Sequence, residues 1–307
     1  MIHVVGNVAI DTVVRMARFP APGETIVADG AAEDMGGKGA NQAVLIARAG
    51  LPVRLVAAVG RDEAGERVRA RLAREGVLID GLWTWSGPTD RCIVYVDAAG
   101  ENTIVSLIGA AQAFDPLAAT DLAGRVEAGD TLLFQGNLRP AVLRRCLAFA
   151  RERGAWTVLN PSPVSDPADY AWGLVDLAVV NRGEARARTG EAEPARAAAW
   201  LVAAGAGAVA VTLGAAGALL LHHEGSLSRP APRVPVADTT GAGDVFAGVL
   251  VAARRRGMDW DAALAAAVEA AALSVTRAGV LASFPTAAEL AALIGRTAPR
   301  AAAGAAG

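Results

Sequence analysis

Cysteine is nearly missing. Cys92 and Cys146 are the only two in 307 residues, and no CxxC pair occurs. That excludes a disulfide framework and a zinc ribbon, and two reduced thiols suit the cytoplasm. Histidine is equally scarce: His3, His222 and His223 form no HExxH pattern. No uninterrupted apolar run of about 18 residues is present, so no membrane span is expected. The opening "MIHVVGNVAID" lacks a basic stretch and a long apolar core, and reads as a first strand rather than a signal peptide. Charge of one sign is missing too: 29 Lys and Arg against 31 Asp and Glu leave a net −2. No global field would draw nucleic acid or an anionic membrane, although a local cationic pocket remains compatible.

What is present is apolar material. Hydrophobic residues make up 53% and charged residues 20%, which supplies a sizeable core and excludes disorder for most of the chain. The length allows one large α/β domain or two average ones. Short β-branched runs alternate with Ala-, Leu- and Arg-rich stretches of helical period. Strands are expected at Ile2–Val5, Val53–Ala58, Thr131–Gln135, Trp156–Asn160, Leu174–Val180, Ala208–Leu213 and Ala218–His222. Helices are expected at Asn41–Ala49, Ala64–Glu75, Pro140–Arg153, Pro194–Ala204, Ala242–Arg256, Asp261–Thr276 and Ala287–Ile294. This alternation predicts an α/β fold: a doubly wound, mostly parallel sheet with helices on both faces.

Two segments break the rhythm, about 12–35 and 89–107. Both alternate polar and apolar residues around turn residues (Pro20, Pro22, Gly23; Ala99, Gly100) and predict a small β-sheet outside the main body. Such a sheet is either a lid over a pocket or surface decoration. The last residues, 298–307, are Ala/Gly-rich and predict a disordered tail.

Four stretches could carry chemistry. In "ADTTGAGDVFAG" (Ala237–Gly248), Gly241, Ala242 and Gly243 lead into a helix whose free N–H groups would favour an anion such as phosphate. Asp244 there is either a first-turn acid that complements the helix dipole or a base for an attacking hydroxyl. In "MGGKGANQAVLIARAG" (Met35–Gly50), Gly36, Gly37 and Gly39 make a turn with Lys38 and Asn41 at its mouth. The Walker A spacing is absent and no GxGxxG follows the first strand, so a P-loop NTPase and a dinucleotide enzyme both lose weight. "NRGE" (Asn181–Glu184) follows a strand, where parallel sheets bind ligands; Glu184 could serve Mg²⁺ through water or simply cap a helix. "VTLGAAGALLL" (Val211–Leu221) is a strand connection through Gly214 and Gly217, either under a nucleotide or as an ordinary hairpin.

In this order and spacing the segments resemble the ribokinase-like carbohydrate kinases, the PfkB family, over about residues 2–295. "GGKGANQA" and "DTTGAGDVFAG" are the most specific parts. "FPAPGET", "GENTI", "LNPSP", "NRGE", "TLGAAG" and "VTRAGVLASFP" support them. The resemblance implies an ATP-dependent phosphotransferase that acts on a hydroxymethyl group of a sugar-like acceptor. Asp244 matches the family's base, and Gly241, Ala242 and Gly243 its anion hole. Asp11, Gly37, Lys38, Gly39 and Asn41 match sugar-contacting positions. Asn181 and Glu184 match the motif near the phosphates and Mg²⁺, and Thr212, Gly214 and Gly217 the nucleotide loop. Val268 stands near adenine, where ribokinases often carry a polar residue. Asp238, Thr240, Ser274, Arg277, Gly279 and Ser283 match a monovalent-cation site, usually filled by K⁺. The family also implies a lid that often forms a homodimer interface.

Departures bear on the acceptor. Ribokinases carry Asn where Ala9 stands here, Asn where Ala111 stands, and Glu near the position of Asn137. Missing hydrogen bonds disfavour ribose itself. Arg91 in the lid is either a contact for an anionic group on the acceptor or a surface arginine. Nucleosides, ketoses and sugar phosphates remain alternatives, and a non-catalytic ligand-binding relative is the reading from a different class.

Overall fold

The computed structural model describes residues 1–98, 101–163 and 171–297. The turn residues Ala99 and Gly100 and the tail 298–307 lie outside them. In chain order the strands are β1 (Ile2–Val5), β2 (Ala9–Arg15), β3 (Gly30–Gly36), β4 (Val53–Val59), β5 (Leu78–Thr84), β6 (Asp90–Val96) and β7 (Asn102–Leu107). There follow β8 (Thr131–Gln135), β9 (Trp156–Asn160), β10 (Leu177–Asn181), β11 (Ala208–Thr212), β12 (Ala218–His222) and β13 (Gly225–Arg229).

Nine strands form the main sheet in the order β13-β12-β11-β10-β9-β8-β1-β4-β5. All neighbours are parallel except the hairpins β11–β12 and β12–β13. The central strands are apolar on both faces because helices cover both. Val4, Leu133 and Val158 face a layer containing the helices Lys38–Arg48, Ala242–Arg255 and Trp260–Ser274. Their neighbours Val5, Phe134 and Leu159 face the opposite layer, with Pro140–Glu152 and Pro194–Ala203.

The second sheet has the order β3-β2-β6-β7, with β2–β6 parallel and the outer pairs antiparallel. It is the lid sheet expected from the two irregular segments. Its first strand begins at Ala9 rather than Thr12, so Asp11 is itself a lid residue.

The expected helices form with ends within three residues of their predicted limits. Three differences have local causes. β10 starts at Leu177, not Leu174, because Trp172–Leu174 winds into a 3₁₀ turn. The edge strands β5 and β13 were not anticipated: "LIDGLWT" is broken by Asp80 and Gly81, "GSLSR" is short and polar, and pairing with β4 and β12 holds them extended. The helix Arg182–Thr189 carries a mostly charged sequence and is started by its cap.

Candidate active site

The carboxyl ends of the parallel strands form a row of polar side chains. Gln135, Asn160, Asn181 and Thr212 are the last residues of β8, β9, β10 and β11. Because β1 lies between β4 and β8, the connections diverge there and open a crevice. The first sheet strand leads through Gly6 and Asn7 directly into the lid.

Asp244 stands in the first turn of Ala242–Arg255 and is 5% exposed. Its carboxylate accepts from Asn41 Nδ2 at 2.9 Å and from Gln42 Nε2 at 3.0 Å. Lys38 Nζ, on the one lysine of the chain, lies 3.9 Å away. Lys38, Gly39, Asn41 and Gln42 belong to the helix Lys38–Arg48, which starts three residues earlier than expected and is capped by Gly37. The two helices can approach because Gly248 has no side chain; a Cβ there would lie 2.9 Å from Leu45 Cβ. Asp244 and Gly248 are one turn apart, as are Asn41 and Leu45, so the same close crossing brings Asn41 onto the carboxylate. Gly241, the N-cap of the Asp244 helix, has φ 79°, and a side chain there would strike the Phe284 ring. Of the expected anion-hole donors, the Ala242 N–H is turned to the Thr239 carbonyl at 3.3 Å, in a tight turn.

Asp11 hangs from β2 over Gly36, where a Cβ would come within 1.9 Å of Asp11 Oδ2. Burial pushes its carboxyl up to about 6; the Cys92 contact opposes this, and the charges of Asp244 and Asp34 add to it. Four buried oxygens at these strand ends and in the lid have no hydrogen-bond partner among the described residues: Asp11 Oδ1, Asn41 Oδ1, Gln135 Oε1 and Asn137 Oδ1. All four are acceptors. Asn137 is 6% exposed, and its backbone carbonyl takes a bond from Gln112.

Arg91 does not join this group. Asp11 is in register with Cys92, so the adjacent Arg91 points from the other face of the lid. There it meets Glu33 at 3.4 Å, beside Arg67. Asp90 faces the inside and is structural: its carboxylate accepts the N–H groups of Ala110 and Ala111 at 2.8 and 3.1 Å.

A cavity of about 770 Å³ opens on the far side of Ala242 and Gly243. Asn181, Thr212, Gly214, Gly217 and Val268, the residues that the resemblance assigns to the nucleotide and its phosphates, line it together. One end is apolar, with Val234, Val236, Ala271, Ala272 and Val275 around Val268; Arg182 and Arg233, which motif reading missed, also line it. The "TLGAAG" loop is a hairpin between β11 and β12 and also a wall of this cavity. Glu184 forms a capping box: its N–H donates to Asn181 Oδ1 at 2.8 Å, and Asn181 N–H donates to Glu184 Oε2 at 2.9 Å.

Asp238 and Thr240 meet the segment that follows Trp260–Ser274. Asp238 accepts from Thr240 N at 2.9 Å and from Gly279 N at 3.1 Å. Burial pushes its carboxyl up, but these donors outweigh it and hold the pKa below the usual range. The Ser274 and Ser283 hydroxyls donate to the carbonyls of Ala271 and Val280, so their oxygens remain free to accept. The Arg277 guanidinium is paired with Glu289, which leaves only its backbone for a cation.

The model of the pfkB family carbohydrate kinases matches residues 1–287. A ribokinase from Haemophilus influenzae is 32% identical, with 92% of this chain and 94% of that protein aligned. The ribokinase structure from Thermotoga maritima superposes with a TM-score of 0.88 at 30% identity, covering 96% of this chain and 99% of that one. The Arabidopsis thaliana ribokinase complexed with ribose and ATP superposes at 0.84 and 26% identity, covering 95% and 98%.

Proposed function

We propose, for a chain that belongs to the pfkB family of carbohydrate kinases, that Asp244 is the base in phosphoryl transfer from ATP to a hydroxymethyl group of a sugar. Membership makes the protein a phosphotransferase with an alcohol acceptor; the residue roles are our reading. The observation that carries it is a set of orphan acceptors, two of them on residues beside Asp244. Asp11 Oδ1, Asn41 Oδ1 and Asn137 Oδ1 are buried and unpartnered, and buried polar atoms are rarely left so. A polyhydroxylated ligand supplies the matching donors.

In the proposed reaction the acceptor O–H gives its proton to Asp244. Its oxygen bonds to the γ-phosphorus as the bond to the β-phosphate oxygen breaks, and ADP leaves. Asn41 and Lys38 orient the carboxylate from one side. The N-terminus of Ala242–Arg255, with Gly241 and Gly243, faces the negative charge of the transferring group. The 770 Å³ cavity takes the nucleotide, its apolar end around Val268 facing the base. Mg²⁺ supplies charge neutralisation on the phosphates, and Glu184 is the carboxylate that would hold it through water, with the oxygen its cap leaves over. The oxygen-rich turn of Asp238, Thr240, Ser274, Gly279 and Ser283 suits a monovalent cation, since it holds a single carboxylate. The lid excludes water, which would otherwise compete as acceptor.

The Arabidopsis relative is complexed with ribose, but Ala9, Ala111 and Asn137 stand here where ribokinases carry Asn, Asn and Glu. The acceptor is therefore a sugar that does not depend on those contacts. The test is ADP release with MgATP and K⁺ over D-ribose, 2-deoxy-D-ribose, D-fructose, inosine and fructose 6-phosphate. One sugar is expected to support turnover, and Asp244→Ala to lower kcat by about 10³-fold or more. Turnover that survives Asp244→Ala sinks the base; silence across the panel favours a ligand-binding protein. A homodimer through the lid completes the proposal, since Val105 and Leu107 on β7 are exposed at the sheet edge.

A further inference from the structure

We infer that Gln42 is a positioning residue that aims the Asp244 carboxylate, as the last link of an amide chain whose direction is set by the backbone of β10. The inference rests on the reading of Asp244 as the base. Gln42 is fully buried and is not among the residues that line the 770 Å³ cavity. Its amide nevertheless reaches three groups on three elements. Nε2 donates to Asp244 Oδ1 at 3.0 Å and to Asn160 Oδ1 at 3.0 Å; Oε1 accepts from Gln135 Nε2 at 2.8 Å.

The direction of these bonds follows from one fixed point. Asn160 also contacts the Val179 carbonyl at 2.8 Å, and a carbonyl only accepts. Asn160 must therefore present Nδ2 to β10 and Oδ1 to Gln42. Gln42 must then present its NH₂ toward Asn160, and the second hydrogen of that group points at Asp244. The carbonyl of Gln42 is left for Gln135, which supplies a hydrogen. No amide in the chain can flip without setting two donors or two acceptors face to face, which is costly in a buried site. A donor locked in this way suits a carboxylate, which only accepts, and resists an O–H on that oxygen.

The surroundings leave no slack. A Cβ on Gly6 would fall 1.7 Å from Gln135 Oε1, and one on Gly39 would fall 2.6 Å from the Asn7 carbonyl and 3.2 Å from Gln135 Oε1. The strand end of β8 is thus packed against the turn into Lys38–Arg48, and the amides cannot swing away. Asn41 and Gln42 hold opposite oxygens of Asp244, Oδ2 and Oδ1. Asn41 borders the acceptor space; Gln42 is the fixed side of the clamp.

The test compares the full-length wild type with Gln42→Met, which keeps length and burial but has no donor, and Gln42→Glu, which keeps shape but loses the N–H. Two readouts are used. With MgATP and the acceptor that supports turnover in the panel above, Gln42→Met is expected to lose about 10- to 100-fold in kcat while KM for MgATP stays within about twofold, and the acid limb of its pH profile moves up. With ¹³C-carboxyl aspartate, and the Asp244 signal assigned through Asp244→Asn, the pH response of that signal moves to higher pH in Gln42→Met, because a donor to the charged form is lost. In the wild type alone the Gln42 side-chain amide protons shift with the Asp244 midpoint, which keeps the test alive if neither variant folds. An unmoved Asp244 titration in a folded variant, or Gln42 amide protons that ignore Asp244, overturns the inference. If no acceptor turns over but the two signals titrate together, Gln42 holds Asp244 and the kinase mechanism is what fails.

Discussion

Asp11 shows how a candidate site residue works against the fold that carries it. Its carboxyl is pushed up to about 6, chiefly by burial, with Asp244 and Asp34 adding to the rise against the Cys92 contact. A folded value above the unfolded one means that the ionised native state is penalised. The penalty is absent below the unfolded pKa of about 4 and complete above about 6. Asp11→Asn should therefore stabilise the protein at pH 8 by about 1–2 kcal/mol and leave it unchanged at pH 4. Urea unfolding at the two values measures this, and an equal gain at both would refute it. The same variant should raise the acceptor KM at least tenfold, which is the functional reason for carrying the strain. Asn41 and Asp244 were legible as residues because each lies in a local motif, and Asp11 through the family resemblance. Gln42 and Asn160 lie in such motifs too, but their link to each other and to Gln135 was not legible. They belong to a helix and two strands, with up to 118 positions between partners, and no local pattern links them. The choice left open for Arg91 was illegible for a related reason: which face it takes depends on the pairing of β2 with β6.

Two elements settle the geometry around Asp244, the proposed base. The helices Lys38–Arg48 and Ala242–Arg255 cross where Gly248 meets Leu45, with the Gln42 carbonyl 3.3 Å from the Cβ that Gly248 lacks. A larger residue there would separate the helices and pull Asn41 and Gln42 off Asp244. Gly248→Val is expected to cost about 1–3 kcal/mol by overpacking and to lower kcat more than the loss of folded protein explains. Thermal unfolding beside specific activity separates the two effects, and full activity per folded molecule would contradict the role given to this crossing. The helix ends were readable in advance because caps are local: Gly50 after Lys38–Arg48 has φ 75°, and Asn181 with Glu184 closes a capping box. The edge strands β5 and β13 were not, since their residues become extended only by pairing with β4 and β12.

For the whole molecule, the lid is the part whose surface exceeds its use in one chain. Val105 and Leu107 are 47% and 56% exposed, on a β7 that ends the four-strand sheet with one side unpaired. If the lid joins two copies, Val105→Glu with Leu107→Glu should turn a dimer into a monomer in sedimentation velocity; a wild type that sediments as a monomer at micromolar concentration contradicts the reading. The sequence by itself determined the α/β architecture, the seven inner strands of the main sheet between two apolar layers and the two motif helices. These follow from hydrophobic period, glycine placement and caps, which act within a few residues. Only the tertiary structure decided that Asp11 belongs to the lid, that Arg91 faces away from it, and that Asn137 offers a buried, unpartnered acceptor. It also decided that an amide chain anchored on the Val179 carbonyl ends at Asp244. These facts depend on strand register and helix crossing, where residues far apart in the chain come within hydrogen-bond reach only once the core has closed.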